Sequence, residues 1–266
     1  MFEQLLKAMA LGVVQGFTEW LPISSTGHLK VCELLLGLGV PLLFDAVLHV
    51  STLLVVLTFF RRDVKAVMKA LTSLDFKTEH GRLIPLIIVG TVPTAIIGWI
   101  FSEFLGNILQ NPSFIALAYI VCGVFLYLAK NGMEKTGDIR FREAFLVGVA
   151  QGFAVVPGLS RSGLTISVAL LLGVKREKAF KFSFLLSIPA VIGAFALTLY
   201  REFGVLAASS LSFVEVIAGA ALALVVGYSA LKLLWNVLAG GKFHFFAFYC
   251  WFFAAFLFLA IFCGVF

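Results

Sequence analysis

The chain has 266 residues, of which 61% are hydrophobic and only 13% are charged. Its mean hydropathy of +1.07 is too high for a water-soluble domain, so this composition excludes a soluble globular protein and indicates a bilayer protein. The formal net charge is +6, but the Lys and Arg residues form no patch interleaved with aromatic residues, which argues against nucleic acid as a partner.

The first predicted element is a broken apolar segment, residues 3–38, with arms 3–20 and 23–38 separated by Pro22 and the polar run 24–27. As helices rising about 1.5 Å per residue, the arms are about 22–27 Å long. That length falls short of the roughly 30 Å of hydrocarbon in a bilayer. We therefore expect a re-entrant helical hairpin whose polar tip lies inside the protein. A signal peptide is the alternative for the first arm, but the same pattern recurs in mid-chain.

Six further runs are apolar enough and long enough to cross a bilayer. They lie near residues 42–60, 83–103, 113–130, 180–200, 212–238 and 243–264. Lys and Arg concentrate in the connecting loops 61–82, 130–142 and 175–181. The positive-inside rule places these loops on the cytoplasmic side. Both termini and the mouth of the first hairpin are then expected to face outward.

A second broken segment, residues 141–174, repeats the first. Fourteen of the forty-four positions in 8–51 are identical to their partners 136 residues later. Three spans separate the hairpins, and a hairpin makes an even number of crossings, so the second copy enters from the opposite side. The predicted fold is an all-α polytopic membrane protein with six transmembrane helices and two re-entrant hairpins in an inverted-topology repeat, as in many secondary transporters. One integral membrane domain, 1–266, would contain repeat 1 (about 1–130) and repeat 2 (about 138–266), each a hairpin followed by three spans.

The tip of the first hairpin carries residue types suited to nucleophilic catalysis. Glu19 follows Gln15 by four residues, so the two share one helix face. A charged, unpaired Glu19 would cost about 2.5–3.5 kcal/mol in a membrane, and His28 is its natural partner. A carboxylate that orients an imidazole, which then takes a proton from a hydroxyl, is a recurrent way to activate a serine; a purely structural Glu–His pair is the alternative. The hydroxyls at this tip belong to Ser24, Ser25 and Thr26.

The second tip carries an arginine instead. Arg161 stands between Ser160 and Ser162 at the start of the returning arm, where the amides of a helix N-terminus bind anions and a guanidinium matches phosphate oxygens. Thr165, four residues further on, can point the same way. The alternative is that Arg161 only pairs with Glu19, which also requires the two tips to touch. Together the tips suit a phosphorylated or diphosphorylated lipid whose tail stays in the bilayer.

The other titratable residues give weaker signals. His49 follows Asp45 by four residues in the first span and either lines the cavity or satisfies a neighbouring helix. Lys30 and Glu33 are expected to reach the outer interface. No spacing of His, Cys or acidic residues specifies a metal site, so no cofactor is predicted, and a divalent cation (Mg²⁺ or Ca²⁺) would arrive with a diphosphate. The cysteines are expected to be unpaired small hydrophobic residues.

Each tip contains a continuous motif. The first is Gln15-x-x-x-Glu19 followed by Ser24-Ser25-Thr26-Gly27-His28, and the second is Pro157-Gly158-Leu159-Ser160-Arg161-Ser162-Gly163-Leu164-Thr165. These motifs resemble the two signatures of the bacterial undecaprenyl-diphosphate phosphatase family, first associated with bacitracin resistance, and the resemblance covers nearly the whole chain. Two departures are Tyr249-Cys250, where many members have Tyr-Arg, and Val50-Ser51-Thr52, where Gly-(Ser/Thr) is usual. Both are expected to lie away from the tips.

The resemblance implies removal of the terminal phosphate of undecaprenyl diphosphate at the outer face of the bacterial cytoplasmic membrane, which recycles the lipid carrier for peptidoglycan and cell-wall synthesis. It implies catalytic roles for Glu19, Ser25 and His28. The diphosphate-binding residues would be Arg161, Ser160 and Thr165, to which the motifs add Gln15, Ser24, Thr26 and Ser162. Our hypothesis is that Ser25 attacks phosphorus, His28 accepts its proton and Glu19 orients the imidazole. His28 as nucleophile, and water activated by His28, are the alternatives.

Two other functions can be compared with these motifs. The type-2 phosphatidic-acid phosphatase superfamily needs a histidine a few residues after the arginine, and residues 162–166 contain none. A flippase or transporter of a phosphorylated polyprenyl lipid remains the alternative, because it would use the same repeat and anion site. The predicted partners are the lipid substrate and membrane lipids; a monomer and a homo-oligomer are both open.

Overall fold

The computed structural model of the chain describes residues 2–36, 42–104, 106–109, 111–132, 137–206 and 212–265. Residues 37–38 of the first predicted hairpin and 133–136 of a predicted basic loop lie outside these ranges. Within them the regular structure is helical, and the one β-type contact is an isolated bridge between Gly137 and Val174. The predicted all-α class is therefore confirmed.

The described helices follow the predicted elements in chain order. They are α1 (Phe2–Trp20), α2 (Ser25–Leu36), α3 (Leu42–Phe59), α4 (Arg61–Thr72), α5 (Leu83–Phe104), α6 (Gly106–Leu109), α7 (Pro112–Leu128), α8 (Phe141–Phe153), α9 (Arg161–Leu171), α10 (Arg176–Leu206), α11 (Phe213–Ala239) and α12 (Phe246–Phe262). Five segments of the described chain are long and apolar enough to cross a membrane, and each matches a predicted span. They are Leu83–Phe104, Pro112–Asn131, Arg176–Arg201, Phe213–Ala239 and Phe243–Phe262.

The first predicted span, 42–60, does not match a candidate span of its own. Helix α3 has 18 residues and meets the length and hydropathy of a span only together with α4, from which it is bent by 85°. The basic residues Arg62, Lys65 and Lys69 of α4 explain the bend, because they cannot follow an apolar helix into hydrocarbon. The described part of the chain therefore has five candidate spans, or six if α3 and α4 form one bent span.

Both predicted hairpins are pairs of helices separated by a sharp turn. Helices α1 and α2 are separated by residues 21–24, and Ser24 has a left-handed backbone with φ of +64°. Helices α8 and α9 are separated by residues 154–160, which include Gly158 with φ of +97°. A residue with left-handed backbone redirects the chain. In both copies the break thus falls at the tip that the sequence places between the two arms.

The first helix of each pair packs against a helix from the other half of the chain. Helix α1 lies along α11, and α8 lies along α5. These contacts are close because Gly12 faces the backbone of Gly219, while Gly148 faces the backbone of Gly90, and a Cβ at either position would overlap the facing carbonyl. Gly12 and Gly148 are equivalent positions of the repeat, 136 residues apart. The repeated glycine therefore permits the same backbone approach twice and interleaves the two halves.

Much of the outer surface is apolar. The exposed fraction is 73% for Phe252 and 89% for Phe262, and many other large hydrophobic side chains are exposed along the spans. Contiguous apolar surface of this extent is unfavourable in water but suits contact with lipid tails. The surface and the five candidate spans together indicate a multi-pass membrane protein.

Candidate functional site

The two turns between the broken helices touch each other. The backbone N–H of Gly158 in the second turn donates a hydrogen bond of 3.0 Å to the Oγ of Ser24 in the first. Arg161, the first residue of α9, reaches Glu19 near the end of α1. The structure thus brings together the two tips that sequence analysis expects to meet.

Glu19 lies at the centre of the contact and is only 8% exposed. Its Oε1 accepts a hydrogen bond of 2.5 Å from Nη2 of Arg161. Its Oε2 accepts bonds from Oγ of Ser25 at 2.7 Å and from Nε2 of Gln15 at 3.1 Å. A buried carboxylate is tolerated when it is paired and hydrogen-bonded, and Glu19 has both kinds of partner. The cluster contains a hydroxyl whose proton already points at a carboxylate.

His49 is the imidazole next to Glu19. Its Nε2 lies 3.5 Å from Oε2 of Glu19, and its Nδ1 lies 2.8 Å from the backbone oxygen of Asp45. A carbonyl oxygen only accepts hydrogen bonds, so Nδ1 carries a proton, and Nε2 faces the carboxylate. Of the two possibilities that the sequence leaves open, His49 therefore lines the cavity.

The predicted pair between Glu19 and His28 does not form. In the structure, Nδ1 of His28 lies 2.8 Å from the backbone oxygen of Ser24 and 2.8 Å from Oη of Tyr119, and Nε2 lies 2.7 Å from Oη of Tyr249. The ring also stacks on Phe253, with centroids 4.4 Å apart. Both ring nitrogens thus have protein partners on the side of α2 that faces α7 and α12. A catalytic role for His28 stays a prediction, but its hydrogen bonds hold the first turn.

Helix α12 contacts the first turn, which sequence analysis does not expect. Tyr249 bonds His28, and the thiol of Cys250 lies 3.5 Å from the backbone oxygen of Pro22. The expectation that Tyr249-Cys250 lies away from the tips is therefore wrong. Tyr119 of α7 is a further contact that the sequence does not reveal, since no motif surrounds it. These side chains enclose the turn from outside the cavity.

The hydroxyl residues around Arg161 mostly shape the start of α9. Ser160 is the N-cap, and its Oγ accepts from the N–H of Gly163 at 3.1 Å and contacts Oγ of Ser162. Thr165 donates to the backbone oxygen of Arg161 at 2.7 Å, a bond that a threonine commonly makes to the preceding helical turn. Ser162 and Thr165 are fully buried and are not among the described residues that line the cavity. Of the three, only Ser160 lines it.

A cavity of about 750 Å³ extends from this cluster between α5 and α10. The end at the turns is lined by Glu19, Ser24, Ser25, Thr26, His49, Ser160 and Arg161. The wall includes Gln151, the repeat equivalent of Gln15, whose amide donates to the backbone oxygen of Leu186 at 3.3 Å. The Nη1 of Arg161 is buried with no hydrogen-bond partner among the described residues. Arg161 also lines the open cavity, and a guanidinium at that position suits an anionic ligand.

A second cavity of about 500 Å³ adjoins the first and shares Thr26 and His49 with it. It is lined by Lys30, Glu33 and Asp45 as well. Glu33 is only 7% exposed and lies 3.5 Å from Lys30. Glu33 is therefore buried in an ion pair beside this cavity, and the location of that pair at the outer interface stays a prediction.

Fold and site together define a multi-pass helical membrane protein with an internal hydroxyl, carboxylate and guanidinium cluster where two broken helix pairs meet. Residues 8–256 match the family model of the bacitracin resistance protein BacA. The chain belongs to this family. The resemblance that the two motifs indicate is thereby confirmed over most of the chain.

Three relatives of similar length share the name undecaprenyl-diphosphatase. The chain is 42% identical over 251 residues to an undecaprenyl-diphosphatase of Carboxydothermus hydrogenoformans, covering 92% of this chain and 93% of that protein. It is 40% identical over 263 residues to an undecaprenyl-diphosphatase of Methanosphaera stadtmanae, covering 92% and 94%. A third undecaprenyl-diphosphatase, from Halothermothrix orenii, is 38% identical over 252 residues, covering 93% and 95%.

Proposed function

We propose that this protein is an undecaprenyl-diphosphatase, a hydrolase that removes the terminal phosphate of undecaprenyl diphosphate. The products are undecaprenyl phosphate and inorganic phosphate, and the reaction returns the lipid carrier to peptidoglycan synthesis. The observation that carries the proposal is the Ser25–Glu19–Arg161 cluster at the inner end of the cavity. Transport of a phosphorylated lipid would need the guanidinium but no hydroxyl bonded to a carboxylate, so the cluster favours hydrolysis.

Arg161 binds the diphosphate of the substrate. Its Nη2 is held by Glu19, which fixes the direction of the guanidinium plane. The guanidinium lines the cavity, where its remaining N–H groups can donate to phosphate oxygens. The guanidinium also lies over the ring of Trp20, 5.1 Å from the centroid, and this contact holds it in place. A divalent cation enters this account only as a companion of the diphosphate.

Ser25 is the nucleophile. Its Oγ attacks the terminal phosphorus, and its proton passes along the existing 2.7 Å hydrogen bond to Glu19. The Oγ–P bond forms while the bond from phosphorus to the bridging oxygen breaks, and the polyprenyl phosphate leaves with that oxygen. Arg161 stabilises the charge on the phosphoryl oxygens during transfer. This assignment replaces the predicted proton transfer to His28, because Glu19 contacts the hydroxyl directly.

Hydrolysis of the phosphoserine completes the cycle. Water attacks phosphorus, the Oγ–P bond breaks, and inorganic phosphate leaves while Ser25 regains a proton. His49, at 3.5 Å from Glu19, is placed to exchange a proton with that carboxylate in both steps. His28 acts as a positioning residue that holds the carbonyl of Ser24 and therefore the turn that carries Ser25.

The membrane arrangement is part of the proposal. The pairs α1–α2 and α8–α9 are re-entrant hairpins that enter from opposite sides, in repeats of about 1–130 and 138–266. The equivalent glycine contacts of α1 with α11 and of α8 with α5 support this repeat. The basic residues at the start of α10 and on α4 support a cytoplasmic location for that side, and the termini and the site mouth then face outward from the cytoplasmic membrane.

The direct test is phosphate release from undecaprenyl diphosphate by the purified protein in detergent. The wild type should release phosphate, and Arg161→Ala should abolish release while the protein stays folded. Lys7→Ala is a matched control, since Lys7 is a cation paired with Glu3 on α1, outside both cavities, and it should retain activity. A folded wild type that binds the lipid but releases no phosphate, with or without Mg²⁺ or Ca²⁺, would contradict the proposal.

A further inference from the structure

The main cavity is an elongated channel between two helix faces. On α10, its lining residues recur at helical spacing from Ser187 through Ala190, Ala194 and Thr198 to Arg201. The facing residues of α5 are also mostly small or hydroxyl-bearing: Thr91, Thr94, Ala95, Gly98 and Ser102. Ser187 and Arg201 are 14 residues apart, which is about 21 Å along a helix. The channel therefore joins the catalytic cluster to a region about 20 Å away.

The far end of the channel is lined by a second arginine, Arg201. Among the described lining residues, only Arg161 and Arg201 are Lys or Arg. Nη2 of Arg201 donates to Oε2 of Glu103, at the end of α5, over 2.8 Å. The two side chains are 44% and 47% exposed. An ion pair with that exposure contributes little to stability. A phosphate group can therefore displace Glu103 at low cost.

We propose that Arg201 is a second anion-binding residue, which takes a phosphate oxyanion at the outer end of the channel. Glu103 pairs with the Arg201 guanidinium when no anion is bound, and a bound anion replaces Glu103 in that pair. Arg201 lies about 21 Å along α10 from Ser187, which is longer than a diphosphate headgroup, so we assign a separate anion to Arg201. The ligand at Arg201 is therefore the headgroup of an incoming lipid or the inorganic phosphate that leaves. This inference rests on the proposed function, because both sources are its substrate or product.

Two substitutions distinguish anion binding by Arg201 from a purely structural ion pair between α5 and α10. Arg201→Ala removes the cation, and Glu103→Gln removes its competitor, but both break the same ion pair. If Arg201 binds the anion, the two changes act in opposite directions on binding, with kcat nearly unchanged. We expect the phosphate anion to bind about three- to tenfold more weakly to the Arg201→Ala variant and more tightly to the Glu103→Gln variant. Arg201→Lys should keep part of the binding, and Lys7→Ala is the control for loss of a cation elsewhere.

Two measurements separate the two sources of the anion. The KM for undecaprenyl diphosphate reports capture of the headgroup, and the inhibition constant for inorganic phosphate reports the leaving product. If Arg201→Ala raises one of these constants and Glu103→Gln lowers the same constant, the proposal is supported. The constant that changes identifies the source of the anion. Equal effects of both variants, or no change in either constant, would overturn it. If Arg201→Ala does not fold, the sign of the Glu103→Gln effect decides. A wild type that releases no phosphate would instead refute the proposed function.

Discussion

Replacing Glu19 by Gln removes the charge at the centre of the site and keeps the size of the side chain. The carboxylate accepts from Arg161 through one oxygen and from Ser25 and Gln15 through the other. An amide offers one oxygen and a donor NH₂ group, so it cannot satisfy all three partners or accept the serine proton. Loss of a positioned base typically costs about 10²- to 10⁴-fold in rate. We expect kcat of Glu19→Gln to fall by about that factor.

The same substitution also affects stability. Arg161 has a 15% exposed side chain, and removing one partner of a buried ion pair costs about 3–5 kcal/mol. The assay therefore combines steady-state phosphate release with thermal unfolding in detergent. Glu215→Gln is the control, because Glu215 is 2% exposed and caps α11 away from the cavity. It should lose stability without a comparable loss of kcat. A folded Glu19→Gln protein that keeps more than about a tenth of wild-type kcat would refute Glu19 as the base.

Three further predictions follow from particular contacts. His49→Gln should lower kcat while KM changes little, because it removes the imidazole that lies 3.5 Å from Glu19; an unchanged kcat in the folded variant would count against proton exchange with His49. His28→Ala should lower kcat and the thermal midpoint together while the shape of the pH–rate profile is preserved, because His28 holds the turn and does not contact the hydroxyl; a lost limb in that profile would instead indicate a base. Gly12→Ala should destabilise the protein by about 1–3 kcal/mol in thermal unfolding, because a Cβ there overlaps the backbone of α11. The control Gly193→Ala, which has open space around it, should be near neutral, and equal midpoints for the two would contradict the close helix contact.

The sequence predicts the meeting of the tips because the repeat divides the chemistry between its copies. One copy has Glu19 and Ser25, and the other has Arg161 at the position of Ser25. Residues with these complementary charges would each be costly alone in a membrane. Their pairing therefore follows from physical chemistry before any coordinates are known. The spans follow in the same way from hydropathy and length.

The sequence does not predict which imidazole faces Glu19. His28 is closer in the chain, but the left-handed Ser24 sets how α2 rotates after the break, and His28 turns toward Tyr119 and Tyr249. His49 reaches Glu19 only because α3 packs beside α1. Both outcomes depend on tertiary packing, which spacing along one helix does not encode. The bend after α3 likewise depends on how α4 leaves the apolar region.

The most direct test of the account is to trap the covalent intermediate. Undecaprenyl diphosphate labelled at the terminal phosphate is mixed with the enzyme, quenched on the time scale of turnover and digested for mass spectrometry. We expect label on Ser25, formed and lost at rates compatible with turnover, and absent in a folded Ser25→Ala protein that no longer releases phosphate. Label on His28, or undiminished phosphate release by folded Ser25→Ala, would contradict it.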